Sequence, residues 1–330
     1  MGKAIVTLQD IQEAARRIQP YIHRTPLLRA ESLDENLGCQ TYVKPEMLQI
    51  TGAFKLRGAL NKILSLSPEE QQRGIITSSS GNHAQACAYI GRLLRVPVTV
   101  IIPEDAPTLK IKNATAMGAR VILWDRSYAG RWEKVHQEVA EHGYTIVHPY
   151  EDPLVMAGQG TMALEILNDL SDVNTIVVPI GGGGLISGIS TAIKQFRPDI
   201  RVVGVQAAAS DAYCQSRIAG KRIAISSEIS TVADGLSCRQ AGENPYPIIE
   251  KNVDELVSVE EQDILEAVRA VANHCKLIAE PSSCVGIAAL LSKRISVTSE
   301  EKVCHILTSG NWNLDRIGKI FLGESVESVI

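Results

Sequence analysis

Between Gly74 and Pro149 the sequence alternates short apolar runs with amphipathic ones, and this leaves little choice of architecture. Residues 75–76, 98–102, 121–124 and 144–147 read as strands, with residues 84–94, 108–117 and 131–141 as the helices between them. A strand that returns by way of a helix lies parallel to its predecessor, so this segment is a parallel sheet clothed by helices. A second alternation follows Pro149. Its helices are read at 160–170, 185–196, 212–219, 261–275 and 281–292, and its strands at 175–180, 200–206, 255–259 and 303–307. Upstream, Leu8, Ile11, Ala14, Ala15 and Ile18 recur at helical spacing behind Thr7, an N-cap residue type, and residues 41–44 read as one more strand. The fold class is therefore α/β: two open, twisted, mainly parallel sheets with helices on both faces. A chain of 330 residues accommodates two such lobes, closely packed, with the active site expected between them.

Charge and hydropathy remove several classes of function. Charged residues make up 21% of the chain and its formal net charge is -4, so there is no basic stripe and no nucleic-acid partner is expected. No apolar run approaches the length of a membrane span, and the first ten residues lack a signal-peptide core; no membrane partner is expected, and a cytoplasmic location is. The Met1-Gly2 start is not taken as a lipidation signal. Seven scattered cysteines without a C-x-x-C pair read as reduced, buried thiols.

Chemistry concentrates in four segments. Thr51 to Ala59, T-G-A-F-K-L-R-G-A, places Lys55 just past a glycine turn, behind Phe54 and at the start of a helix. An amine is a nucleophile only when neutral, and a crowded, desolvated lysine is pushed toward that state, so Lys55 is the candidate Schiff-base residue. S-S-S-G-N-H, Ser78 to His83, joins a strand to a helix and offers hydroxyl and backbone N–H groups to a carboxylate. Gly181, Gly182, Gly183 and Gly184 join the apolar strand T-I-V-V-P-I to the next helix; backbone this bare can approach a ligand closely, and a phosphate suits the helix end behind it. The loop lacks the offsets of G-x-G-x-x-G and of a Walker loop, which argues against a dinucleotide or a transferable phosphate. Ser309, in L-T-S-G-N, is a hydroxyl at another strand end. A reactive lysine, a carboxylate cradle, a phosphate cradle and a polar strand end together suit an amino acid bound through an imine to a phosphorylated aldehyde cofactor.

These segments, with H-R-T-P-L, V-H-P-Y-E-D-P, A-G-Q-G-T and V-A-D-G in order along nearly the whole chain, resemble the pyridoxal-phosphate enzymes of the tryptophan-synthase β fold type. The likeness is to the threonine/serine dehydratase and serine racemase group. It implies a large cofactor-binding domain from residues 1–48 and 150–330 and a small mobile domain from residues 49–149. It also implies pyridoxal 5'-phosphate as cofactor, an amino acid as substrate, and a homodimer. Lys55 would hold the cofactor, Phe54 would pack on its ring, Gly181 to Gly184 would take its phosphate, Asn82 would meet its phenolic oxygen and Ser309 its pyridine nitrogen. Ser79, Ser80, Gly81, Asn82 and His83 would receive the substrate carboxylate. The activity implied is a lyase, an ammonia-lyase (dehydratase) releasing a 2-keto acid and ammonia from a β-hydroxy amino acid such as threonine or serine. The alternatives are an amino-acid racemase and a hydroxyaspartate or phenylserine dehydratase.

Residues that vary within that group refine the expectation. His83 after Asn82 follows the dehydratases and racemases rather than the cysteine-synthase-like relatives, and Ser80 follows the racemases and hydroxyaspartate dehydratases, in which it lies opposite the lysine as a second catalytic group. Arg131 aligns with an arginine that could pair with a second substrate carboxylate. Gln206 and Ala212 stand where racemase-like members carry acids for a divalent cation, so no metal is expected there. Glu280 is read as the cap of the helix that follows it, with contact to a monovalent ion as the alternative.

Overall fold

The computed structural model describes residues 5–106, 108–226 and 228–330, so the Met1-Gly2 start lies outside the described residues. Among the described residues there are ten strands: β1 Leu28–Arg29, β2 Gln40–Pro45, β3 Ile75–Ser78, β4 Val98–Pro103, β5 Arg120–Trp124, β6 Thr145–Ile146, β7 Thr175–Pro179, β8 Arg201–Ala207, β9 Glu255–Val259 and β10 Lys302–Leu307. They form a six-stranded sheet in the order β1-β2-β10-β7-β8-β9 and a four-stranded sheet in the order β5-β4-β3-β6. Every pairing is parallel except that of β1 with β2. The four-stranded sheet is built wholly from residues 75–146, and the larger sheet takes its strands from both sides of that stretch.

The amphipathic pattern at the start becomes the helix Leu8–Ile18, where the Thr7 side chain accepts from the Asp10 N–H and the Asp10 carboxylate accepts from the Thr7 N–H. The helix expected from residue 160 begins instead at Pro153 and runs to Asp169. Asp152 caps it, accepting from the Leu154 N–H at 2.8 Å. The glycines of A-G-Q-G-T are inside this helix, where two others press against it. A Cβ at Gly158 would come within 2.5 Å of the Arg57 carbonyl oxygen, and one at Gly160 within 2.7 Å of that of Gly188. The helix expected over 261–275 is α-helical through Ala270 and then widens to a π-turn, Val271–Cys275. Helices Pro68–Arg73, Pro245–Asn252 and Leu314–Phe321 are too short or too flanked by turn residues to stand out in the sequence. Among the described residues no helix is long and apolar enough to cross a membrane.

The helix Lys55–Leu64 is anchored by a buried charge cluster. Arg57, fully buried, donates from Nε and Nη2 to Glu46 at 2.8 and 2.9 Å and from Nη1 and Nη2 to Glu165 at 2.7 and 3.0 Å. Lys44 Nζ reaches Glu165 and the Thr25 carbonyl, each at 2.6 Å. Two cations thus face two carboxylates, and the cluster ties the end of β2 and the helix Pro153–Asp169 to the segment that carries Lys55.

Candidate active site

A cavity of about 910 Å³ opens beyond the carboxyl ends of β3, β7 and β10, where parallel sheets commonly bind ligands. Its wall brings together Phe54, Lys55, Ser79, Ser80, Gly81, Asn82, His83 and Gly181 to Gly184, from three separate stretches of sequence. Lys55 is the first residue of its helix. The turn before it is zipped to the segment after β10: Ala53 pairs with Ser309, the Phe54 N–H donates to the Thr308 carbonyl at 3.0 Å, and the Gly310 N–H donates to that of Gly52 at 3.1 Å. Asn311 Nδ2 closes the zipper on the Thr51 carbonyl at 2.7 Å.

Lys55 Nζ donates to the Pro149 carbonyl at 2.9 Å and lies 5.0 Å from the centre of the Phe54 ring. No carboxylate offsets the loss of hydration, and burial lowers its pKa to about 8. In cofactor-free protein, acylation of Lys55 by an amine-selective reagent should therefore be half-maximal near pH 8, rising with pH below that point and flat above it. Peptide mass spectrometry reads this directly, and half-labelling only above pH 10 would refute it.

Gly81 caps the helix Asn82–Leu94, whose first N–H groups face the cavity mouth without intrahelical partners. Ser79 Oγ accepts from the Gly81 N–H at 3.2 Å, and Ser80 lines the wall. The His83 ring takes no part in that cradle. Its ring is buried and held neutral, with the pKa pushed down to about 3, chiefly by burial. Nε2 lies 2.9 Å from the Val147 carbonyl, which can only accept; the ring proton is therefore on Nε2, and Nδ1 has no donor for a carboxylate. What His83 can offer an anion is its backbone N–H.

Opposite, Gly183 adopts φ +93° and Gly184 opens the helix Gly184–Phe196. The Tyr150 ring covers the loop so closely that a Cβ on Gly182 would lie 2.2 Å from it. Successive bare amides at a helix start make an anion-binding nest, and the nearby amine of lowered pKa suits an aldehyde. The residues thus fit a phosphorylated aldehyde.

The sequence model of the pyridoxal-phosphate dependent enzymes matches residues 18–309. The chain belongs to this family. Among curated members it is 40% identical over 316 residues to the L-threonine ammonia-lyase of Thermotoga maritima, covering 96% of this chain and 78% of that protein. It is 38% identical over 320 residues to the L-threo-3-hydroxyaspartate ammonia-lyase of Saccharomyces cerevisiae, covering 97% of this chain and 98% of that one. Among solved structures, the serine racemase of Dictyostelium discoideum superposes with a TM-score of 0.88 at 37% identity, over 94% of this chain and all (100%) of that one. The mixed α/β architecture with two mainly parallel sheets is that of these pyridoxal-phosphate enzymes.

Within this pyridoxal-phosphate enzyme Glu280 is the residue that sequence reasoning misplaced. It stands at the start of the helix Pro281–Leu291 but its side chain makes no cap there. Instead the buried carboxylate accepts from the Ser309 hydroxyl and, at 3.2 Å, from Asn82 Nδ2. Asn82 Oδ1 accepts from Asn311 Nδ2 at 2.9 Å. One acid thus joins the two residues assigned to opposite edges of the cofactor ring, and Ser309, its proton given to Glu280, presents a lone pair. A lone acid before a proline at a helix start resembles a cap in sequence; only the fold reveals its partners. Arg131 is not brought to the cavity wall. Its Nη1 donates to the Asp125 carbonyl at 3.2 Å and to that of Arg126, closing its own helix entrance. The Gln206 amide accepts from the Tyr213 and Cys214 N–H groups at 2.9 and 3.1 Å and donates to the Ser210 carbonyl at 3.0 Å.

Proposed function

We propose that the chain is an ammonia-lyase of an uncharged β-hydroxy amino acid, threonine or serine, releasing a 2-keto acid and ammonia. The observation that carries this reading is a single cavity in which an amine of lowered pKa stands between a carboxylate cradle and a glycine nest. The likeness to threonine ammonia-lyases supports it. Bound pyridoxal phosphate supplies an electron sink that acidifies the substrate Cα–H. The amides of the Ser79–Gly81 turn and of the start of the helix Asn82–Leu94 hold the carboxylate, and Gly181 to Gly184 hold the cofactor phosphate. Phe54 packs beside the ring, and Asn82 and Ser309, linked by Glu280, meet its edges. Lys55, whose lowered pKa of about 8 leaves a substantial share of it neutral near that pH, takes the Cα proton as general base. Loss of the β-hydroxyl as water and hydrolysis of the released enamine give keto acid and ammonia, with no net change in water.

Ser80 favours a second reading, racemisation, because it lines the same cavity as Lys55 and the racemase of Dictyostelium discoideum is similar throughout. A hydroxyl on the far face of Cα would return a proton there. The position of Arg131 argues against a second substrate carboxylate, and so against hydroxyaspartate as the preferred substrate. Residues 49–149 would close over the site as a mobile lobe, and the enzyme would act as a cytoplasmic homodimer, a state that sedimentation velocity checks.

Incubation with L- and D-isomers of threonine, serine, 3-hydroxyaspartate and phenylserine, assayed for keto acid and chirality together, tests the reading. Equal keto acid and ammonia from L-threonine or L-serine is the expected result. Inversion without keto acid would sink the lyase in favour of the racemase.

A further inference from the structure

Behind the glycine loop, outside the cavity lining, stands Tyr213, fully buried in the helix Ala212–Ala219. Its hydroxyl donates to the Gly182 carbonyl at 2.8 Å and accepts from the Gly242 N–H at 2.8 Å. The phenol is therefore committed at both ends to backbone. A Cβ on Gly183 would fall 2.2 Å from the same oxygen, so the hydroxyl fills the space that a side chain there would need. Among the described residues no peptide bond is cis, and in a planar trans peptide C=O and N–H point to opposite sides. Drawing the Gly182 oxygen back onto Tyr213 turns the Gly183 N–H away from the phenol, toward the cavity that Gly183 lines.

Tyr213 is itself held in place. Gln206, fully buried near the end of β8, accepts from the Tyr213 and Cys214 N–H groups through Oε1, while Nε2 donates to the Ser210 carbonyl. One amide side chain satisfies the first turn of the helix and fixes where its second residue projects. A carboxylate there could accept from the two N–H groups but could not donate to the Ser210 carbonyl.

We propose that Tyr213, held from β8 by Gln206, is the positioning residue of the phosphate subsite: its hydroxyl locks the Gly182–Gly183 peptide plane so that the Gly183 N–H is presented to the phosphate. The inference rests on the reading that Gly181 to Gly184 take the phosphate of pyridoxal phosphate. It assigns no chemical step to Tyr213.

Comparing pyridoxal phosphate with pyridoxal, the same aldehyde without the phosphate, isolates the subsite. Cofactor-free protein is titrated with each and binding is followed by absorbance and tryptophan fluorescence. In the wild type the phosphorylated aldehyde should bind much the more tightly. In Tyr213→Phe this preference should fall about tenfold or more, the worth of one hydrogen bond to a charged group, while pyridoxal affinity stays within about threefold. A parallel fall in both affinities would mean a general structural role and would overturn the inference, as would an unchanged preference. If Tyr213→Phe does not fold, Gln206→Met, which keeps the phenol but frees the turn that carries it, is expected to lower the preference by about threefold; no change would overturn the inference. A wild type indifferent to the phosphate would overturn the glycine-loop assignment itself and this inference with it.

Discussion

Lys55→Ala should lower amino-acid turnover by about 10²- to 10⁴-fold, the range associated with losing a positioned general base. The wild-type protein, reduced with borohydride in the presence of pyridoxal phosphate, should carry the cofactor on the peptide containing Lys55, and the variant should carry none. The substitution leaves one polar group to account for, the Pro149 carbonyl that accepted from Nζ at 2.9 Å, and that carbonyl lies beside the cavity where water can replace the amine. Thermal stability should consequently be little changed, which separates loss of chemistry from loss of fold. Turnover within tenfold of the wild type in the variant would rule out Lys55 as the base.

The largest effect on stability is expected two residues further into the same helix. Arg57→Met removes the guanidinium that faces both Glu46 and Glu165 and leaves two carboxylates with Lys44 as the remaining cation of the cluster. Removing one partner of a buried pair costs about 3–5 kcal/mol, because the charge left behind has lost its compensation without regaining water. Burial by itself would raise the Glu165 pKa, but Arg57 and Lys44 outweigh it and hold the carboxyl below its ordinary value. A lowered folded pKa means that this contribution is present above the ordinary glutamate range and is lost as pH falls through the lowered value. Urea denaturation at neutral pH should show the loss in Arg57→Met, and the gap from wild type should narrow in acid. A change below about 1 kcal/mol at neutral pH would refute this account of the cluster.

The architecture was readable because parallel strands buried on both faces are continuous apolar runs, and β4, β7 and β8 each announce themselves that way. Lys55, the serine-rich turn and the four glycines were equally legible, since each breaks the pattern at a strand end with residues that a plain turn does not require. Long-range partners were not. Glu280 looks like a cap until β10 brings Ser309 to it, and the proton on His83 is decided by the Val147 carbonyl, far away in sequence. The first turns of the helix Pro153–Asp169 were missed because the reason for Gly158 there, the close crossing of a neighbouring helix, is tertiary. Tyr213 carried no local signal at all: a phenol in an amphipathic helix is ordinary until its hydroxyl is seen between two backbone groups.

The zipper between residues 51–54 and 308–311 also orders events in time. Its Asn311–Thr51 contact spans 260 positions of sequence, and β10, which delivers it, is an interior strand lying between β2 and β7. Closing so long a stretch of chain costs entropy that is recovered only when the strand docks, so such contacts form late. Until then Lys55 is a hydrated ammonium with an ordinary pKa of about 10.4 and reacts poorly with aldehydes. On this account a chain cut before β10 should leave Lys55 hydrated and slow to react with aldehydes, which labelling of such a truncated chain would check.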